Sequence, residues 1–182
     1  MPAAQLDRIV RALATRLDPY VNAVLRRPPL RRVLHRRALA AWRASERPLV
    51  LCYGNINRSP FAAALSGRAA SSGFYAAFGR PSPPRAVEAA RAHGVDLAPH
   101  RSSLVSGREL ARADAIFVFD TENVAQVALA RLRSLPRTHF VGALAPDGDV
   151  SIVDPHGRSD DELVRVYARI AEAVTYASTA AT

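Results

Sequence analysis

The residues best equipped for chemistry lie together in the run Cys52-Tyr53-Gly54-Asn55-Ile56-Asn57-Arg58-Ser59-Pro60. Cys52 is the single cysteine of the chain, and Arg58 follows six positions later. A phosphate monoester carries about two negative charges near neutral pH, and a site that attacks it must first neutralise that charge. The planar fork of Arg58 matches two phosphate oxygens. The backbone amides of Tyr53, Gly54, Asn55, Ile56 and Asn57 can hold the remaining oxygens. The same positive field favours Cys52 as the thiolate, the form in which sulfur is a nucleophile. Ser59 is placed to donate a hydrogen bond to that sulfur. Gly54 and Asn55 are the residue types that best tolerate the positive φ angles of such a loop.

These side chains need elements to hold them. The apolar segment Pro48-Leu49-Val50-Leu51 predicts a buried strand. Ser59 and Pro60 predict the cap and first position of a helix running on through Phe61-Ala62-Ala63-Ala64-Leu65. A strand, a tight loop and a helix N-terminus turn several N–H groups toward one point, an arrangement that binds phosphate. A lone cysteine ending a buried strand is more often a small core residue, and Cys-x5-Arg by itself is a weak pattern. The complete run, with its strand and helix, is far more specific.

Beyond the loop the chain alternates strand and helix. Strands are predicted at 48–52, about 74–77, 114–119 and 138–143. Helices are predicted at 59–70, 83–93, 121–133 and 159–175, with a short one near 106–111. This alternation predicts an α/β fold, a four-stranded parallel sheet with helices on both faces. Ligands of such sheets sit at the carboxyl ends of the strands, where Cys52 and Asp120 both fall. Expelling a phenolate from phosphorus calls for a carboxylic acid opposite the nucleophile. Asp154, between Ile152-Val153 and Pro155, is the best-placed candidate, although Asp-Pro is also common in plain turns. Asp120 reads either as a supporting carboxylate or as the N-cap of the helix at 121. His93, His100, His139 and His156 show no metal-ligand spacing, so neither a metal nor a cofactor is expected. His35 is expected to be solvated.

The motifs resemble those of the low-molecular-weight protein tyrosine phosphatases. Leu51-Cys52-Tyr53-Gly54-Asn55-Ile56-Asn57-Arg58-Ser59-Pro60 is similar to that family's active-site loop. Gly79-Arg80-Pro81 with Arg85-Ala86-Val87, Gly94-Val95-Asp96-Leu97, His100-Arg101-Ser102 and Ala113-Asp114-Ala115-Ile116-Phe117-Val118-Phe119-Asp120 follow in the family's order, and Asp154-Pro155 matches its general-acid motif. The resemblance covers roughly residues 48–175. It implies a phosphatase that forms a cysteinyl phosphate on Cys52, with Arg58 holding phosphate and Asp154 protonating the leaving group and then activating water. Three features depart from the pattern. Asn57 stands where many members carry a second, protective cysteine. His156 replaces the usual aromatic after Asp-Pro. The segment between Pro60 and Gly79 is short. Tyr53, or the cluster Phe74, Tyr75 and Phe78, could supply a ring in compensation. Ile56 is the phosphotyrosine-type residue, where relatives acting on phosphoarginine carry Thr.

Composition bounds the remaining options. The chain has 182 residues and is 49% apolar, which fits one domain with a real core. No apolar run is long enough for a membrane span, and no signal-peptide h-region opens the chain. A solitary reactive thiol fits a reducing cytoplasm. All 25 basic residues are arginine, and the net charge is +9. The charge is lopsided. Residues 1–47 hold eleven arginines against Asp7, Asp18 and Glu46, a net +8, while the rest holds fourteen against thirteen acids. The charge thus belongs to an arm over 1–47, followed by a phosphatase domain over 48–182.

Within that arm, Leu6, Ile9, Val10, Leu13 and Leu17 have helical spacing, and Asp18-Pro19 can end that helix and cap another. Leu30, Val33, Leu34, Ala38, Ala41 and Trp42 mark a second stripe, with Arg31, Arg32, Arg36, Arg37 and Arg43 expected at the surface. The arm can dock on its own domain, lie on an anionic membrane or contact an acidic partner or nucleic acid. Trp42 and the leucines favour docking, and no specific nucleic-acid motif appears. Three functions compete: a phosphatase acting on a phosphorylated protein or a small aryl phosphate, an arsenate reductase working through an external small thiol, and a weakly active phospho-ligand-binding module.

Overall fold

The computed structural model describes residues 3–179. Two helices, α1 (Ala3–Leu25) and α2 (Pro28–Ala44), precede the strand β1 (Pro48–Cys52). Then come α3 (Arg58–Ser66), β2 (Ala70–Gly73), α4 (Pro84–Arg91), α5 (Gly107–Arg112), β3 (Ala115–Val118), α6 (Thr121–Arg131), β4 (Thr138–Phe140) and α7 (Asp160–Thr179). The four strands form one parallel sheet in the order β2-β1-β3-β4.

Every residue of β1 and β3 is buried, as a parallel sheet covered on both faces requires. The strand period of two divides their side chains between two cores. Val50, Cys52 and Phe117 join Trp42, Phe61, Ala86 and Tyr167 on the face covered by α2, α3, α4 and α7. Leu49, Leu51, Ile116 and Val118 meet Leu110 and Val127 of α5 and α6 on the other. The chain leaves β1 toward β2 on one side and returns to β3 on the other. The crevice above the β1 and β3 carboxyl ends is therefore a topological switch point, where ligands bind in this class of sheet.

Four elements depart from the sequence expectations. The second strand lies at Ala70–Gly73 rather than 74–77. Its Ala-Ser-Ser-Gly sequence has little strand propensity, but a Cβ on Gly73 would come within 2.7 Å of the Tyr53 carbonyl oxygen, so only glycine fits beside the loop. The strand at 138 stops at Phe140 and passes into a 3₁₀ turn, Val141–Ala143, and the first helix after the loop ends at Gly67, which takes a left-handed cap, rather than at 70. α1 runs through Pro19 instead of ending there. An interior proline costs roughly 3 kcal/mol of helix stability, and contacts around Asp18 offset it. The Asp18 carboxylate accepts from Thr121 N–H at 3.0 Å, Thr121 Oγ1–H at 2.8 Å and Ser151 Oγ–H at 2.7 Å.

The arm differs from its expected surface pattern as well. α1 faces α6 with Val10, Arg11, Ala14 and Asp18, while Ile9, Leu13 and Leu17 of the expected stripe are exposed. The Leu6 side chain lies outside the described residues. Arg31 is buried rather than exposed, donating to the carbonyls of Gly142 at 3.0 Å and Ala145 at 2.6 Å. His35 is half-buried, its Nδ1–H donating to the Ala143 carbonyl at 3.0 Å. Trp42 is fully buried edge-on to Phe117, with ring centroids 4.9 Å apart. At the junction with β1, Asp114 accepts from the Ser45 hydroxyl and from the N–H groups of Glu46 and Arg47, at 3.0 and 3.1 Å.

Candidate active site

Cys52 ends β1 at the sheet's central crevice, with its side chain buried. Its Sγ shares a hydrogen bond with Ser59 Oγ at 3.0 Å and accepts the Asn55 N–H at 3.2 Å. Asn55 has φ +49° and is the non-glycine residue in the left-handed region among those described. Gly54 does not share that conformation, so of the two residues expected to take it, the asparagine does. Asn55 is also the internal tie of the loop. Its Nδ2 donates to Ser59 Oγ at 3.0 Å and Ser71 Oγ at 3.1 Å, and its Oδ1 accepts Ser103 N–H at 2.8 Å. His100 Nε2–H donates to the Asn55 carbonyl at 2.8 Å. Ile56 and Asn57 are buried, and the Asn57 carbonyl accepts Tyr167 O–H at 3.3 Å.

Arg58 opens α3 and is 1% exposed. Its Nη1 donates to Asp120 Oδ2 and to the Ile152 carbonyl at 2.8 Å, and its Nη2 pairs with Asp154 Oδ2 at 2.9 Å. Its Nε is buried without a protein partner, a donor of the kind an anion satisfies. Burial alone would weaken its hold on the proton, but the fields of Asp154, Asp120 and Cys52 more than offset this and keep it charged. Asp120 plays both roles the sequence left open. It caps α6, accepting Asn123 N–H at 2.8 Å, and it anchors Arg58.

Asp154 lies on the loop after Ile152, whose N–H is tied to the Phe119 carbonyl at 2.7 Å. Burial pushes the Asp154 carboxyl up, but the Arg58 guanidinium and the His156 N–H, at 3.1 Å from Oδ1, bring it below the usual carboxylate range. The carboxyl is thus ionised in the free protein. An incoming phosphate dianion would compete for Arg58 and set its own charge beside Asp154. Both effects raise the affinity of Asp154 for a proton. The site can therefore hold this carboxyl ionised when empty and favour its protonation when an anion is bound.

Above the loop opens a cavity of about 300 Å³ lined by Cys52, Tyr53, Gly54, Ile56, Asn57 and Asp154 together with Arg11, Tyr75, Arg80 and His156. Tyr53 and Tyr75 supply aromatic walls, their centroids 5.6 Å apart, whereas Phe78 is exposed and Phe74 packs on the second core. The sequence left Arg11, Arg80 and Gly73 unassigned to the site. Arg80 Nη2 donates to the Gly54 carbonyl at 2.7 Å, a contact no local pattern encodes.

The family model for low molecular weight phosphotyrosine protein phosphatases matches residues 48–180. The chain belongs to this family. A probable low molecular weight protein-tyrosine-phosphatase, EpsP of Ralstonia nicotianae, is 37% identical over 114 residues, covering 59% of this chain and 77% of that protein. The low molecular weight protein-tyrosine-phosphatase Wzb of Salmonella typhi is 31% identical over 125 residues, covering 65% of this chain and 83% of that one. Among solved structures, the tyrosine phosphatase amsI of Erwinia amylovora superposes with a TM-score of 0.70 at 26% identity, covering 75% of this chain and 93% of that one. The family match begins at β1, so α1 and α2 lie outside it. Among the described residues no helix is long and apolar enough to cross a membrane.

Proposed function

We propose that this protein-tyrosine phosphatase hydrolyses phosphotyrosine-type monoesters through a cysteinyl phosphate. The observation that carries the reading is that Cys52 and Asp154 line one cavity, with Ser59 bonded to the Cys52 sulfur and Arg58 to the Asp154 carboxylate behind them. Arg58 and the amides of Tyr53, Gly54, Asn55, Ile56 and Asn57 hold the phosphoryl oxygens. Cys52 Sγ attacks phosphorus, the bond to the phenolic oxygen breaks, and Asp154 gives that oxygen a proton. Water then attacks the cysteinyl phosphate and passes a proton to Asp154. The S–P bond breaks with its electron pair returning to sulfur, where the Ser59 hydroxyl stabilises the thiolate. Tyr53 and Tyr75 flank the phenyl ring in place of an aromatic at 156.

The substrate is a phosphorylated protein or a small aryl phosphate, and Ile56 supports tyrosine over arginine phosphate. The reading extends to the chain's organisation: residues 1–47 are an appended arm whose role is to dock on the domain at 48–182, and the protein works in the cytoplasm. The contacts of Asp18 and the burial of Trp42 support that role for the arm. The test compares wild type with Cys52→Ser on an aryl phosphate, phosphoarginine and arsenate with added thiol. Wild type is expected to turn over the aryl phosphate fastest and Cys52→Ser not at all. Normal turnover by that variant overturns the mechanism, and faster thiol-dependent arsenate consumption reassigns the activity.

A further inference from the structure

The cavity above Cys52 has one wall that the family-matched segment does not supply. Arg11, on α1, lies outside residues 48–180 yet lines the same space as the nucleophile. Its guanidinium carbon sits 3.5 Å from the Tyr53 ring centroid, and its Nε pairs with Glu122 Oε1 at 2.6 Å. On the opposite side Arg80 sits 4.4 Å from the Tyr75 ring centroid. The two rings are neighbours, so the cavity mouth carries a ladder in the order Arg11, Tyr53, Tyr75, Arg80. Guanidinium over an aromatic face is a favourable packing that also fixes where the cation stands. Among the lining residues, the two arginines and His156 face a single carboxylate, Asp154, which the phosphoryl chemistry uses. Glu122 offsets part of the Arg11 charge from behind but does not line the cavity.

A phosphoryl group seated over Cys52 is held by the loop amides and by Arg58, beneath this ladder. The arginines at the mouth, Arg11 paired with Glu122 and Arg80 with the Gly54 carbonyl, are not needed to hold that group and stand beside what surrounds it. We propose that Arg11, with Arg80 opposite, is a specificity-determining residue that recognises a carboxylate side chain adjacent to the phosphotyrosine, so that the preferred substrates are acidic phosphotyrosine segments. The inference rests on the phosphotyrosine reading above. Arg11 acts on the substrate's flank and takes no part in bond making. Its position comes from the docked helix, so α1 forms part of the substrate site.

The test uses the full chain and two phosphotyrosine peptides that differ only in carrying Glu or Gln on both sides of the phosphotyrosine. Wild type is expected to favour the Glu peptide in kcat/KM, and Arg11→Gln to lower that preference by about two- to fivefold, mainly through KM, as partly exposed ion pairs do. Arg11→Lys, which keeps the charge, is expected to retain most of it. A ratio taken within each variant cancels any general loss of folded enzyme. Equal preference in wild type and Arg11→Gln overturns the proposal. The same pair of peptides is titrated against Cys52→Ser and the Cys52→Ser/Arg11→Gln double variant as a binding measurement. If wild type turns over neither peptide, the phosphotyrosine reading fails by itself, and the binding ratio still decides whether Arg11 reads the flanking carboxylate.

Discussion

The loop from Cys52 to Ser59 and the helix α1 reach the same cavity by opposite routes. The loop has a local core of bonds: Asn55, Ser59 and the Cys52 sulfur bond to one another within eight residues, with further ties to Ser71 and Ser103. α1 contributes through contacts more than a hundred positions away in sequence, Arg11 to Glu122 and Asp18 to Thr121 and Ser151. In the loop, chemistry and local conformation are specified by the same few residues. In α1, what a side chain does depends on where the rest of the fold sets it. Changes at the reacting groups around the loop should therefore alter turnover far more than stability, changes at its internal tie Asn55 should cost stability, and changes at Asp18 of α1 should cost stability more than turnover.

The sharpest break of that contrast is Asp154→Ala, in a segment that belongs to neither region but is held by both. Its removal is expected to slow turnover of an aryl phosphate by about 10²–10⁴-fold while phosphate still binds. The pH profile carries a sign. Arg58 and His156 depress the Asp154 carboxyl in the free enzyme, and bound phosphate dianion reverses part of this. A general acid acts only when protonated, so rate falls as pH rises through its pKa. The falling limb in kcat, which reports the occupied site, is expected at higher pH than the corresponding limb in kcat/KM, and Asp154→Ala should abolish both. Coincident limbs, or limbs that survive the substitution, would rule out the coupling between Arg58 and Asp154.

Within the loop, Asn55 sharpens the comparison. Asn55→Ala removes the donor to Ser59 and Ser71, strands the Ser103 N–H, and places a residue with a Cβ at φ +49° without the polar side chain that makes this tolerable. The expected loss is about 2–4 kcal/mol in urea unfolding. Asn55→Gly loses the same hydrogen bonds but relieves the backbone, and should recover about 1 kcal/mol of that loss. If Gly and Ala are equally destabilising, the positive φ is not a constraint on this site.

The legibility of the molecule in its sequence follows the same division. The phosphate loop, its strand and its helix were readable because each is set by residues near one another in sequence. The two-faced sheet was readable from the alternation of apolar runs. The second strand lies earlier than its sequence suggests because Ala70-Ser71-Ser72-Gly73 pairs with β1 for reasons of space beside Tyr53, while in the segment that looks like a strand Phe74 packs on the second core and Tyr75 walls the cavity. The burial of Arg31 depends on the carbonyls of the 142–148 turn, and the path of α1 through Pro19 depends on Ser151 and Thr121. No periodicity within residues 1–47 contains those partners. The exposed stripe of Ile9, Leu13 and Leu17 has the spacing of a buried face, so the pattern gave the helix and the tertiary contacts chose a different side.

Asp18 offers the mildest test and the one that isolates α1. Its carboxylate joins three elements: it sits in α1, accepts from the first N–H of α6, and holds Ser151, three residues before Asp154. Asp18→Ala leaves Thr121 N–H and the Ser151 hydroxyl without this acceptor, and about 1–3 kcal/mol of stability should be lost. The Ile152 N–H tie to Phe119 and the pairing of Asp154 with Arg58 do not involve α1. The acid therefore keeps its principal anchors, and kcat on a small aryl phosphate is expected to fall by only about two- to fivefold, set against the far larger effect of Asp154→Ala. Asp18→Asn retains one acceptor oxygen and should fall between wild type and Ala in urea unfolding. A large loss of kcat in Asp18→Ala at full stability would mean that α1 tunes the acid directly. Full stability with full kcat would mean that α1 is held by its other contacts, such as Arg11 with Glu122 and Asn22 with Ser151, rather than by Asp18.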